Sequence, residues 1–251
     1  MGMVAKIWRH PIKSHGREVV ERTTLVAGEA MPWDRTWAVT HDFTKHDPSN
    51  GWIMCRNFMI GTRTPALAGI WAELDEATET ITLTHRDLGT LTIQPDAPAA
   101  SEELANWTSP LINAGAPQPK SLVRTRGGRG WTDTDFASVS LMNFASHAAV
   151  EKKLGQALEI ERWRGNFWLE GLEPWEEESW LGKDVRLGHA RLRICEPIVR
   201  CMHTSANPVS GVRDADTLGA LENGWGHKNF GVYAKVIEGG EVSTGDTLEV
   251  L

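Results

Sequence analysis

Short apolar runs, alternating or rich in β-branched residues, recur along this chain about every ten residues. Gly, Pro, Asp or Asn bounds each run, which is the usual punctuation of short strands. Closely spaced short strands are typical of a β-barrel or sandwich and argue against a parallel α/β sheet. The predicted strands are residues 4–8, 19–25, 36–40, 52–55, 80–84, 90–93, 121–125, 158–163, 167–169, 184–187, 191–195, 231–237 and 247–250.

Few helices accompany these strands. The sequence predicts short helices over residues 101–107, 143–154 and 214–221, and Gly155 supplies the stop of the second. A segment rich in Pro and Ala, residues 95–119, separates the strands into two groups. We therefore predict a mainly β fold of two lobes, with a few short helices.

Composition excludes several classes of protein. Of the 251 residues, 41% are hydrophobic and 24% charged, which is ordinary globular usage and argues against disorder. The net charge of −7 argues against a nucleic-acid-coating protein, which needs a basic face. The apolar runs fall short of the roughly 20 residues of a membrane span, and the N-terminus does not resemble a secretory signal. Three cysteines are too few for a disulfide framework and favour a reducing cytoplasm.

Several common catalytic motifs are missing from the sequence. It contains no Gly-x-Gly-x-x-Gly, no Walker-type lysine loop, no Gly-x-Ser-x-Gly and no His-Glu-x-x-His. It also lacks Cys-x-x-Cys, the spacing of zinc ribbons and thioredoxin-like pairs. A nicotinamide or flavin enzyme of the usual Rossmann kind is therefore not expected.

Three short polar patches could bind a ligand. Lys13 and Ser14 follow the first predicted strand and form a compact anion seat. Arg35 belongs to a second patch, and Arg164 and Asn166 form a third where one predicted strand ends and another begins. Each patch alone also has a plain structural interpretation, as solvated surface or as a local ion pair.

The segment around Cys201 combines a thiol with a guanidinium. A predicted strand over residues 191–195 runs into Pro197, which is expected to end its pairing, and Arg200 and Cys201 follow in a loop. A thiol beside a guanidinium is favoured as the thiolate, the form that attacks or binds a metal. Cys195, inside an alternating run, is expected to be inert. A loop thiol without any role is an equal alternative for Cys201.

These patches belong to an ordered set of motifs. The set is Pro11-Ile-Lys-Ser14, Gly28 followed by Asp34-Arg35-x-Trp37, Arg164-x-Asn166, Trp180-x-Gly182, Arg200-Cys201-x-x-Thr204 and Phe230-Gly231. The succession resembles MOSC-domain proteins, relatives of the molybdenum cofactor sulfurase C-terminal domain. The closer resemblance is to the type with an N-terminal MOSC-associated β-barrel, as in the amidoxime-reducing component. It covers nearly the whole chain and implies an N-terminal β domain over residues 1–95 and a β-barrel-like MOSC domain over residues 96–251.

The resemblance implies a molybdopterin-type molybdenum cofactor held between the two lobes. Cys201 would be the protein thiolate on the metal, and a soft thiolate suits a sulfur-rich redox site. Lys13, Ser14 and Arg35 would bind the cofactor phosphate, because Arg and Lys side chains together neutralise its charge.

Further roles come from the same resemblance. Arg164 and Asn166 would contact the pterin. Arg200 would stabilise the thiolate or face the substrate, so Arg200 and Cys201 are the catalytic candidates.

The chain departs from the family pattern at two positions. Val199 stands where the family often has a Ser or Cys before the Arg-Cys pair. The hydroxyl expected after Asp135 is shifted by one, so Ser138, Ser140 or the backbone would bind the cofactor there.

The resemblance further implies an oxidoreductase that reduces N-hydroxylated small molecules. The sequence encodes no cysteine set for an iron–sulfur cluster and no haem motif, so electrons would come from a separate carrier of ferredoxin, flavoprotein or cytochrome type. Two alternatives stay open. One is a cofactor carrier or sulfur-transfer protein with a persulfide on Cys201, and the other is a phosphate-ligand binding module without a metal.

Overall fold

The computed structural model describes residues 2–251, and over this range the chain forms fifteen β-strands and three α-helices. The strands are β1 (Gly2–Arg9), β2 (Glu18–Val20), β3 (Arg22–Leu25), β4 (Trp37–His41), β5 (Trp71–Asp75), β6 (Thr80–His85), β7 (Gly89–Ile93), β8 (Pro119–Arg124), β9 (Val139–Asn143), β10 (Phe167–Glu170), β11 (Asp184–Leu187), β12 (Ala190–Val199), β13 (Asn229–Glu238), β14 (Gly240–Ser243) and β15 (Thr247–Val250). The helices are α1 (Ala100–Thr108), α2 (Phe144–Leu154) and α3 (Thr217–Trp225). The predicted mainly β fold with a few short helices is confirmed.

A closed barrel forms the larger part of the fold. Its seven strands, among the residues described, follow the order β10-β9-β13-β12-β11-β15-β1, and β1 pairs with β10 to close the ring. Alternation along the strands fills the interior: Leu192 and Ile194 of β12 point into the core, whereas Arg191 and Arg193 lie on the outside. Closure removes exposed sheet edges and gives the barrel a fixed rim.

A smaller β unit packs beside the barrel. It contains the meander β5-β6-β7, the pair β4-β8 and helix α1, around a core that includes Trp37, Leu83 and Leu104. The sheets do not divide between residues 95 and 96. The first strand β1 belongs to the barrel, and β8 returns to pair with β4. The division into domains 1–95 and 96–251 stays a prediction.

Two predicted strands are wrong. Residues 158–163 end in the 3₁₀-helix Ile160–Trp163, and residues 52–55 form no strand but lead into the 3₁₀-helix Cys55–Asn57. The apolar side chains of residues 158–163, Trp163 among them, join a cluster of aromatic residues instead of pairing in a sheet. Tertiary packing therefore overrides the local pattern.

The predicted end of pairing at Pro197 is also wrong. Strand β12 continues to Val199, and the register shifts on both sides of Pro197 absorb the missing N–H donor. As a consequence, Arg200 and Cys201 follow directly from the end of a long barrel strand. Helix α2 begins at its Asn143 cap and ends at Gly155 (φ 71°), as the sequence predicts.

Within residues 2–251, the α-helices are all too short or too polar to cross a lipid bilayer.

Candidate functional site

One cavity of about 650 Å³ lies between the barrel and the smaller β unit. Its lining combines residues 132–140, 162–166 and 196–204 of the barrel side with residues 55–62 and the turn after β1. The eight residues predicted from the sequence all line it: Lys13, Ser14, Arg35, Ser138, Arg164, Asn166, Arg200 and Cys201. The structure therefore brings together side chains that are up to 188 positions apart (201 − 13) in the sequence.

Lys13 lines the cavity from the turn after β1, and the part of the lining that it forms with Arg35 and Arg164 is called the cationic end below. The Nζ atom donates hydrogen bonds to the Trp131 carbonyl (2.8 Å) and to Oδ1 of Asp133 (2.5 Å). Lys13 is only 4% exposed, whereas the Asp133 side chain is 48% exposed. The ammonium group is thus fixed at the wall, with a displaceable carboxylate beside it.

Three of the lining residues adopt a left-handed backbone conformation. Ser14, Arg35 and Arg164 have φ values of 63°, 52° and 50°. This region costs an L-residue about 1 kcal/mol or more, and such conformations tend to cluster at functional sites. Three strained residues that converge on one cavity are typical of a ligand-binding site and argue against a solvated turn.

Arg35 is held by a buried carboxylate. Asp34 is 1% exposed and pairs with both the Arg35 guanidinium and the His10 ring. Burial alone would raise the pKa of Asp34, but the charge of Arg35 and the hydrogen bond to His10 outweigh it and hold the pKa well below its usual range. Arg35 also donates from Nη2 to the Arg164 carbonyl at 2.9 Å, which joins the two guanidinium-bearing segments.

Arg164 lacks a full set of partners. Nη1 donates to the Gly16 carbonyl at 3.2 Å, but Nη2 is buried without a hydrogen-bond partner in the described chain. Burial and then the positive charges of Arg35 and Arg17 lower the pKa of Arg164 to about 9. A buried N–H surrounded by like charges calls for an anion.

The neighbouring Arg162 differs in this respect. Its guanidinium pairs with Glu159 and Asp214, at 2.7 Å each, and donates to the Ser205 carbonyl. Both arginines line the cavity, but Arg162 has its charge compensated within the protein. Of these two arginines, Arg164 is therefore the one with an N–H donor free to bind a ligand.

The side chains of Asn166, Ser138 and Ser140 already form hydrogen bonds within the protein. Oδ1 of Asn166 accepts hydrogen bonds from the N–H and hydroxyl of Ser140, and Nδ2 donates to the Trp8 carbonyl at 3.3 Å. Ser138 accepts a hydrogen bond from Thr134 at 2.8 Å. These contacts fix the shape of the wall and connect β1 to β9.

Arg200 turns its guanidinium towards the backbone. Nε donates to the Phe230 carbonyl at 2.8 Å and Nη1 to the Trp163 carbonyl at 2.7 Å. The rings of the same two residues stack with their centroids 3.9 Å apart, and the guanidinium carbon lies 5.6 Å from each ring. Arg200 thereby fixes the end of β12 against β13, which sets where Cys201 begins.

Cys201 also lines the cavity and is exposed, and the part of the lining that it forms with residues 60–62 is called the thiol end below. It caps the 3₁₀-helix Met202–Ser205, and its Sγ accepts a hydrogen bond from the Thr62 hydroxyl at 3.2 Å. Cys55 also lines the cavity and is half-buried, whereas Cys195 lies on the barrel away from it. The thiol singled out from the sequence is thus the accessible one at the site.

Two family models match this chain in succession. The MOSC N-terminal β-barrel domain matches residues 1–115, and the MOSC domain matches residues 130–249. The chain is a MOSC-domain protein. Its MOSC domain supplies the cysteine loop, and the segment matched by the N-terminal model supplies Lys13, Ser14 and Arg35.

Two curated relatives are similar in sequence to parts of this MOSC protein. Over 124 residues it is 31% identical to "Mitochondrial amidoxime-reducing component 1" of Xenopus laevis, a match that covers 45% of this chain and 36% of that protein. Over 86 residues it is 30% identical to "Molybdenum cofactor sulfurase 2" of Culex quinquefasciatus, covering 33% and 11%. The chain therefore spans about a third of the first relative's length and a tenth of the second's. The crystal structure of the YUAD protein from Bacillus subtilis covers 100% of this chain and 96% of its own, at 13% identity and a TM-score of 0.49.

Several lining residues of the MOSC protein were not predicted from the sequence, and Asp133, Tyr233 and Thr62 are three of them. Asp133 comes from a Gly-rich loop whose approach to Lys13 is a long-range contact without a local signal. Tyr233 is the single tyrosine of the chain, and burial raises its pKa. Thr62 belongs to a segment without a recognisable pattern, 139 positions from the cysteine that it contacts.

The side chains able to coordinate a metal limit what kind of metal centre the MOSC site could hold. Among residues 2–251, His, Cys, Asp and Glu side chains nowhere form a group of three or more able to hold a metal ion. At the cavity itself, Cys201 offers one exposed sulfur, so a cofactor that brings its own metal ligands fits this site. The unpaired N–H of Arg164 and the adjoining cations fit an anionic tail of such a cofactor.

Proposed function

We propose that this chain binds a molybdenum cofactor and reduces N-hydroxylated small molecules with electrons from a separate carrier protein. One observation carries the proposal: a single cavity joins a cluster of cations with an unpaired guanidinium N–H to an exposed cysteine thiol. The two ends match the two parts of such a cofactor, a phosphate and a metal.

The cationic end supports phosphate binding. Lys13, Arg35 and Arg164 all reach the cavity, and Asp133 is a lining carboxylate whose pKa their charges lower. A phosphate monoester carries up to two negative charges, which would satisfy Arg164 and relieve the repulsion between the guanidinium groups. Ser14, in the same turn as Lys13, places a hydroxyl and a backbone N–H at this end.

The thiol end supports metal binding. Cys201 would supply one soft sulfur ligand, and the dithiolene sulfurs of a molybdopterin would supply others. When bound, molybdenum supplies two-electron redox chemistry at this point. Removing oxygen from an N–OH group takes two electrons and two protons and releases water, and the proposal assigns the supply of these electrons to a separate carrier.

The chain's own residues would prepare the pocket for this reaction. Arg200 holds the cysteine loop through the carbonyls of Trp163 and Phe230. Trp163 gives an apolar wall, which favours a flat organic substrate over bulk water. The exposure of Cys201 leaves the mouth of the cavity accessible to a substrate and to a docked carrier.

The exposed thiol also favours a second candidate, sulfur transfer. A persulfide on Cys201 must be reachable by the protein or cofactor that takes up the sulfur, and this cysteine is the exposed member of the three. One relative bears the name of a molybdenum cofactor sulfurase. The same cavity would then hold the cofactor only for modification.

Turnover of a model substrate separates the two candidates. Freshly purified protein is mixed with benzamidoxime and dithionite-reduced methyl viologen, and benzamidine is quantified by chromatography. We expect benzamidine from the native protein and from Cys195→Ala, but none from Cys201→Ala. Sulfur transfer predicts cyanide-releasable sulfur on Cys201 without benzamidine, and this pattern would overturn the reductase proposal.

A further inference from the structure

A short segment of the smaller β unit lies over the thiol end of the cavity. Residues 60–66 contact the loop that runs from Cys201 to Arg213, although no sheet joins the two segments. The two interlock at three points besides the thiol.

Close packing fixes the relative position of these segments. A β-carbon at Gly61 would lie 1.7 Å from Nδ1 of His203, so any side chain at this position would collide with the histidine ring. A β-carbon at Gly211 would lie 2.6 Å from Cα of Ala66, and Gly211 has a φ of 69°. Close approaches of this kind require glycine on one side.

A hydrogen bond from Arg213 also holds the backbone of Thr62 in this segment. The Arg213 guanidinium donates to the carbonyl oxygen of Thr62 at 2.5 Å. It holds the Thr62 backbone while the threonine side chain points at the thiol. The hydroxyl of Thr62 then lies 3.2 Å from Sγ of Cys201 and donates to it.

We infer that Thr62 is a positioning residue for the Cys201 sulfur, which it orients and stabilises by a hydrogen bond from the opposite side of the cavity. The inference rests on the proposed function, because Cys201 acts there as a metal ligand. A donor to a ligand sulfur withdraws electron density from its lone pairs and fixes their direction. Partners of this outer kind typically change metal affinity by about 10- to 100-fold.

The same segment provides a matched control. Thr64 is buried two positions further on, and its hydroxyl has no hydrogen-bond partner in the described chain. Thr64→Val removes a hydroxyl from the segment without removing a hydrogen bond. Thr62→Val removes the bond to sulfur with little change in size, and Thr62→Ser keeps the donor.

The experiment compares these three variants as isolated, cofactor-loaded proteins. Molybdenum content is followed during dialysis against a chelator, and the sulfur-to-metal charge-transfer absorption is recorded. We expect Thr62→Val to lose molybdenum about tenfold faster than the native protein, because its sulfur is no longer held in one orientation. Its charge-transfer band should be red-shifted, because the sulfur electrons are less stabilised without the hydrogen bond. Thr62→Ser and Thr64→Val should match the native protein in both measurements.

Two results would overturn the inference, and they differ in what else they affect. If Thr62→Val keeps the native band and the native rate of metal loss, the positioning role is wrong while the proposed function stands. If the native protein contains no molybdenum, the proposed function fails and the inference fails with it.

Discussion

The two ends of the cavity are built differently. At the cationic end, Lys13 and Arg35 pair with Asp133 and Asp34, and left-handed residues support them. At the thiol end, Cys201 is exposed, and its sulfur receives a single hydroxyl donor. One end is organised before any ligand arrives, and the other is open.

This difference indicates a division of labour. A rigid, charged seat lowers the ordering cost of binding and holds a ligand in one orientation. An exposed sulfur allows chemistry to occur where a substrate and a redox partner can reach it. The strain stored at Ser14, Arg35 and Arg164 is consistent with selection for binding rather than for stability.

The largest effect should come from Cys201→Ala, which tests whether the two ends are separable. We expect complete loss of molybdenum, because the metal loses its protein ligand. The midpoint of thermal unfolding of the cofactor-free protein should stay unchanged, since the side chain is exposed. Calorimetric titration of the cofactor-free variant with inorganic phosphate should give the native Kd. A weakened phosphate Kd would show that the ends are not independent.

Arg164→Met should have the next largest effect and should act on the opposite end. Removing charged hydrogen bonds to a phosphate costs about 1.5–3 kcal/mol, so phosphate affinity should fall on the order of 100-fold. The free energy of unfolding of the cofactor-free protein should not fall, because the Arg164 guanidinium is repelled by the like charges of Arg35 and Arg17. Denaturant unfolding checks this, and a clear loss of stability would mean that Arg164 is structural.

Asp133→Asn should strengthen the cationic end. Partial burial of its half-exposed carboxylate would raise the pKa of Asp133, but the charges of Lys13 and Arg35 outweigh this effect and lower that pKa. The carboxylate is therefore charged and repels an incoming anion. Removing the negative charge should tighten phosphate binding about tenfold. The same calorimetric titration measures the change. Weaker binding would instead show that Asp133 orients Lys13 for the ligand.

Ser14→Gly should have the smallest effect and would measure the strain directly. Glycine adopts a φ of 63° without the β-carbon clash, so unfolding of the cofactor-free protein should require about 0.5–1 kcal/mol more free energy. The matched control is Ser138→Gly, at a position outside the left-handed region, and this variant should lose stability. Denaturant unfolding compares the two variants. A destabilised Ser14→Gly would contradict the strain argument.

Local signals in the sequence explain which parts of the fold can be predicted. The strands Asp184–Leu187 and Thr247–Val250 are bounded by glycine or by the chain end, and the sequence predicts them with their observed bounds. Val139–Asn143 is missed because it is buried on both faces and shows no alternation. Residues 158–163 resemble a strand but turn into a 3₁₀-helix around the aromatic cluster.

Local sequence signals likewise predict only some of the residues of the candidate site. Lys13, Arg35 and Cys201 can be chosen from motif order, and the structure brings them to one cavity. Their partners Asp133 and Thr62 cannot, because the contacts with Lys13 and Cys201 join segments more than a hundred positions apart. Motif order predicts which residues line the cavity. It does not predict whether a side chain such as Asn166 already has its hydrogen-bond partners within the protein.

The most direct test is the molybdenum content of the freshly purified native protein, measured by mass spectrometry of the metal together with its visible spectrum. The account predicts about one molybdenum per chain and a thiolate charge-transfer band, as a single soft-ligand site requires. A metal-free protein from cells whose other molybdenum enzymes are fully loaded would contradict it.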